Sequence, residues 1–119
     1  MTVNVLGTTY KIETHKLRDD ETLKKNSWGG YINFDEKKIV LADFDDTEDF
    51  TFSSDTSRAA YKNKTLRHEI VHAFLEESGL SESSAVPQCG WAQHEEMVDW
   101  FAIQAPKIFA AFRGCYCIG

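Results

Sequence analysis

The chain has 119 residues, 42% of them hydrophobic and 27% charged, with a formal net charge of −6. That size suits a single domain spanning 1–119. The acidic balance excludes a nucleic-acid binder that works through phosphate contacts, and no apolar run is long enough for a membrane-spanning helix.

The opening "MTVNVLGTTYKI" lacks a basic segment followed by an apolar core, so it reads as a strand or bent pair rather than a secretion signal. His15 falls in the polar stretch "ETHKLRDDE" and is expected to be exposed. A hairpin follows: Tyr31–Phe34 and Lys38–Leu41 flank the polar turn Asp35-Glu36-Lys37. "DFDDTED", Asp43 to Asp49, reads as a solvated acidic loop.

From about Ser57 the periodicity becomes helical, with Asp55 or Ser57 as N-cap and Gly79 as the stop. Leu66, Ile70, Ala73 and Phe74 form the expected core stripe. A Ser-, Pro- and Gly-containing connection over 80–90 precedes a second helix, "WAQHEEMVDWFAIQA". Pro106 is expected to end or kink it and to open a short last helix, "PKIFAAF". Trp91, Trp100 and Phe101 are expected in the core. Cys89, Cys115 and Cys117 are odd in number and read as free thiols of a reducing cytoplasm.

The first long helix carries "HEIVH". His68 and His72 are four apart and so share one face, where both imidazoles can reach one tetrahedral metal ion. Glu69 sits about 100° round from His68, placed to take a proton from water polarised by the metal without itself being a ligand. This is the spacing that a hydrolytic zinc site on one helix needs. An extension to "HExxHxxGxxH" fails, since Leu75 and Ser78 occupy the required positions. The second helix instead offers Glu95 as third ligand. Asp99, one turn on and sharing a face with Val98 and Ala102, is placed to hold a ligand imidazole by its other ring nitrogen. His94 is an alternative ligand, but it projects about 100° away from the Asp99 face. Glu76, one turn beyond His72, reads as a surface residue.

"HEIVH" followed by "EEMVD" resembles the gluzincin signature, "HExxH" then "ExxxD". More narrowly, "LRHEIVHAFLEESGL" with "HEEMVDWFAIQAPKI" is similar to small zinc metallopeptidases of bacterial genomes and prophages, and distantly resembles the ImmA/IrrE type. The resemblance covers roughly residues 65 to 110. It implies an α+β, zincin-like domain: a short antiparallel or mixed sheet packed on the "HExxH" helix and on a second, ligand-bearing helix. An edge strand, 31–34 or 38–41, would line the cleft. It implies Zn²⁺ on His68, His72 and Glu95, Glu69 as general base, and Asp99 behind a ligand histidine. The implied substrate is a protein or peptide in a bacterial or phage-infected cytoplasm. The rival reading is a zinc-holding regulatory protein that engages a partner without turnover. Large gluzincins stabilise the oxyanion from a further domain. Here the candidates for that role are Tyr61, Arg67, His94 and Tyr116.

Overall fold

The computed structural model describes residues 1–26, 28–80 and 94–118. The 81–90 part of the connection, with Cys89, and the expected first residues of the second helix, 91–93 with Trp91, lie outside them. The architecture is α+β. Strands β1 (Thr2–Val5), β2 (Thr8–His15), β3 (Gly30–Asn33) and β4 (Lys38–Ala42) form a mixed sheet in the order β1-β2-β4-β3. Helix α1 spans Glu21–Asn26, α2 Asp55–Glu77 and α3 Glu95–Gly114.

The opening segment is a hairpin that turns at Leu6 and Gly7, both with positive φ. β2 and β4 pair in parallel, which the crossover through α1 and β3 makes possible. Ile39, Val40, Leu41 and Ala42 of β4 are all buried, as expected of a central strand covered on both faces. Ile39 and Leu41 meet Leu66, Ile70 and Ala73 of α2, together with Val5 and Tyr10. Val40 and Ala42 face the other way, onto Leu23 of α1 and Phe44, Phe50 and Phe52 of the following loop. Burying each large aliphatic side chain contributes about 1.5–3 kcal/mol. Since β4 is interior, the edge strand that remains is β3.

Several expectations need correction. Phe74 is 41% exposed, because the stripe that meets the sheet is completed by Ala73, one position earlier. α2 begins at Asp55 with Ser54 as N-cap, whose hydroxyl accepts from Ser57 N–H at 3.0 Å. The acidic loop is not simply solvated, because Arg18 and Lys16 reach Asp46 at 2.8 and 3.2 Å. A 3₁₀ turn (Leu17–Asp19) and α1 follow β2, elements that the polar stretch gave no sign of. They are too short to show a period, but Asp20 caps α1 by accepting from Leu23 N–H at 3.1 Å. His15 is half-buried rather than exposed. Its Nδ1 lies 2.7 Å from Asp20 and its Nε2 2.9 Å from Glu13, and the Tyr31 hydroxyl donates to the same Asp20 at 2.8 Å.

This cluster carries a testable pH signature. Hydrogen bonds to Asp20 and then Glu13 hold His15 above its usual 6.5. Its stabilising effect is therefore complete below that value and lost as pH rises through the raised one. Burial disfavours the Asp20 charge, but the hydrogen bonds from His15, Leu23 and Tyr31 outweigh it and hold the carboxyl below its usual 3.8. That contribution is present above 3.8 and lost as pH falls through the lowered value. The wild-type urea midpoint should thus fall further than that of His15→Gln between about pH 6 and pH 9. Parallel pH profiles would remove this account.

α3 runs through Pro106 as one helix, so no separate last helix exists. Proline removes the N–H that would bond to the Ala102 carbonyl, and Ala102 is fully buried. An unpaired buried carbonyl costs about 1–3 kcal/mol. Arg67 of α2 supplies the missing donor: its Nε–H bonds to Ala102 O. Trp100 and Phe101 are 55% and 41% exposed, not core, because the face of α3 that meets α2 is the one carrying Val98 and Ala102. No helix among the described residues is long and apolar enough to cross a membrane.

Candidate metal centre

Three stripes divide the middle of α2. Leu66, Ile70 and Ala73 meet the sheet. Val71 and Leu75 meet Met97 and Val98 of α3. Lys64, His68 and His72 face a cleft of about 660 Å³ between α2, β3 and the start of α3. Helical spacing alone produces this division, since positions four apart share a face. Gly30 lets β3 approach closely. A Cβ there would lie 2.9 Å from the Val40 carbonyl and 3.2 Å from the Thr65 methyl.

His68 Nδ1 lies 2.7 Å from Asp99 Oδ1. A carboxylate only accepts, so the ring donates from Nδ1, and Nε2 of the neutral imidazole carries a lone pair. That Nε2 faces Glu95 Oε2 at 3.1 Å and His72 Nε2 at 3.1 Å. His72 Nε2 in turn lies 3.2 Å from Glu95 Oε1. A lone pair so close to a carboxylate oxygen is repulsive unless a proton or a cation lies between them. Bonds of about 2.0–2.1 Å to a tetrahedral zinc imply ligand–ligand separations of about 3.3–3.4 Å. The spacings among His68, His72 and Glu95 are close to that edge length, and the nitrogen–oxygen donor set suits zinc. These three residues therefore fit such an ion. Burial holds His72 below its usual 6.5 more strongly than Glu95 raises it, which favours the neutral ring that a cation needs.

Glu69 is 6% exposed and makes no hydrogen bond among the described residues, yet it lines the cleft. Desolvation by burial pushes its carboxyl up to about 7. His68 pulls the other way, and Glu95 and Asp99 add to the rise. A carboxyl this deep, open only to the cleft, is costly to ionise, and a pKa near neutrality suits a group that exchanges protons.

Glu95 and Asp99 are not embedded among apolar neighbours as their spacing suggests. Their side chains are 67% and 54% exposed, because they sit on the rim of the α2–α3 contact rather than within it. His94 does not join the cluster. It is the N-cap of α3, its Nδ1 accepting from Met97 N–H at 3.2 Å. Glu76 is half-buried and lies off the cleft. Of the four candidates for oxyanion stabilisation, only Tyr61 lines the cleft. Arg67 is engaged at Ala102, and Tyr116 is 94% exposed beyond the end of α3. Cys115 and Cys117 are exposed, free thiols in the same tail.

The cleft also contains residues that the sequence does not single out. Lys64 was findable, being one turn before His68, and its ammonium lies 4.8 Å from the centre of the Tyr61 ring. Trp28 reaches the cleft through the fold and carries no local signal, whereas Tyr31, Ile32 and Phe34 come from the 31–34 run expected to line it. Comparison of the chain with protein families, with curated proteins and with solved structures gives no match.

Proposed function

We propose that this chain hydrolyses peptide bonds with the help of zinc. The observation that carries the reading is the convergence of His68, His72 and Glu95 at 3.1–3.2 Å beside a buried Glu69, in a cleft lined by an edge strand. Bound zinc supplies Lewis-acid polarisation of a carbonyl and lowers the pKa of water. The protein's own groups do the rest.

His68 and His72 turn their Nε2 atoms toward one point, and Glu95 adds the charge that a dication needs. Asp99 holds His68 in the tautomer that leaves Nε2 free. Glu69 accepts the proton of the attacking water and returns it to the leaving amine, which a carboxyl poised near neutrality does in both directions. β3 is the sheet edge on the cleft, so its outer N–H and C=O groups are available to an extended peptide by strand addition. Tyr61 and Lys64 are the donors of α2 on the cleft from which support for the developing oxyanion would come.

The test uses the purified full chain, elemental analysis and a mixed peptide library read by mass spectrometry. One zinc per chain is expected, with cleavage that a chelator abolishes and added zinc restores. A chain that takes up no zinc, or that cleaves equally well after chelation, overturns the reading.

A further inference from the structure

We infer that Arg67 sets the position of α3 along α2, and with it the meeting of Glu95 and Asp99 with His72 and His68. The cause lies in helix geometry, while the consequence for metal binding rests on the zinc reading above.

Among the described residues the apolar cluster between the two helices is small: Val71 and Leu75 against Met97 and Val98. Such a patch resists separation but defines sliding and rotation poorly, because apolar attraction is non-directional. The bond from Arg67 Nε–H to Ala102 O is directional and joins the two helices at one point. Arg67 directly precedes His68 and continues the Val71–Leu75 stripe four residues back. Ala102 lies three residues after Asp99, about 4.5 Å along the axis. The clamp therefore sits within one turn of the His68–Asp99 contact on both helices.

Pro106 makes the clamp specific. It leaves the Ala102 carbonyl without its own helical donor, so this carbonyl is free for a donor from outside. No other position in α3 carries a proline, so no other carbonyl of its interior is released in this way. Arg67 is accordingly a positioning residue. It does not itself touch the three ligand atoms.

The experiment compares Arg67→Ala, Pro106→Ala and the double variant in the full chain. Zinc affinity is read by competition with a chromogenic chelator, and thermal midpoints are recorded alongside. ¹⁵N NMR of the metal-free imidazoles reports the His68 tautomer. Pro106→Ala should keep wild-type zinc affinity, since the carbonyl accepts both donors. Arg67→Ala should weaken zinc binding by about tenfold, as loss of a supporting partner does, and should reduce the Nδ1–H form of His68. The double variant should recover thermal stability, because replacing the proline restores the missing N–H, but not zinc affinity. If Arg67→Ala alone does not fold, the double variant decides.

Zinc affinity and tautomer equal to wild type in the double variant overturn the inference, because Arg67 would then only satisfy a carbonyl. If the wild type takes up no zinc, the zinc reading fails separately, and the His68 tautomer still decides whether Arg67 sets the helix position.

Discussion

Glu69→Gln is expected to abolish peptide hydrolysis while leaving zinc content at one per chain. The amide keeps the shape and volume of the side chain, so the buried pocket around it is not emptied. It cannot take up a proton, and proton transfer by a placed group accounts for about 10²–10⁴ of rate. Glu69 is not one of the three converging ligands, so the metal should be retained. Burial also predicts the stability effect. The wild-type carboxyl is held up to about 7 by desolvation, which means that its ionised form is disfavoured in the fold. A neutral amide avoids that cost above neutral pH, so the variant should be at least as stable as wild type at pH 8. The measurements are elemental analysis, peptide cleavage and a denaturation midpoint. Hydrolysis at the wild-type rate would remove Glu69 from the chemistry. A biological effect that persists undiminished without hydrolysis would favour the reading in which the chain engages a partner without turnover.

The second large effect is expected from Asp99→Ala. The carboxylate accepts from His68 Nδ1 at 2.7 Å, and it is the partner that fixes which ring nitrogen is bare. Without it the imidazole is free to rotate and to change tautomer. Loss of such a partner typically weakens metal affinity or activity by about 10- to 100-fold. The helix should not suffer, since the side chain is 54% exposed and alanine is the better helix former. Competition with a chelator gives the affinity, and circular dichroism checks the helix. Wild-type zinc affinity in this variant would reduce Asp99 to a surface acid. Asp99→Asn is the informative companion. It keeps an acceptor oxygen without the charge and should fall between wild type and alanine.

The parts of this molecule that were legible in the sequence are those whose geometry is local. A residue and its neighbour four positions on share a helix face wherever the helix sits, so the meeting of His68 with His72 and the common direction of Glu95 and Asp99 could be read without any fold. The 31–41 hairpin was legible for the same reason. Its two apolar runs are separated by a turn of polar residues.

What could not be read depended on partners distant in sequence. Trp100 and Phe101 are as apolar as any core residue, but no other element among the described residues covers them as it does Val98 and Ala102. Pro106 signals a break by local rules, and the helix continues because Arg67, 39 positions earlier, supplies the donor. His15 reads as exposed because its nearby partners Asp20 and Glu13 are polar, and what half-buries the group, the Tyr31 hydroxyl on the same Asp20, comes from β3. The depth of Glu69 is likewise invisible to spacing, since the burial of a helix position depends on what the fold packs around it.

The three stripes of α2 have a consequence for how this chain tolerates insertions. Adding one residue between Thr65 and Leu66 turns everything after it by about 100°. The change would carry His68 and His72 off the cleft, Ile70 and Ala73 off the sheet, and Val71 and Leu75 off α3, all at once. Over this stretch a shift of register cannot spoil the chemistry and spare the fold, or the reverse. The loop that carries Asp45 to Asp49 is held differently, at separate points, by Arg18 on Asp46 and by Phe44 and Phe50 in the core, so a change there does not rotate every later contact together. Length variation among natural forms of this protein should therefore be absent from residues 65 to 75.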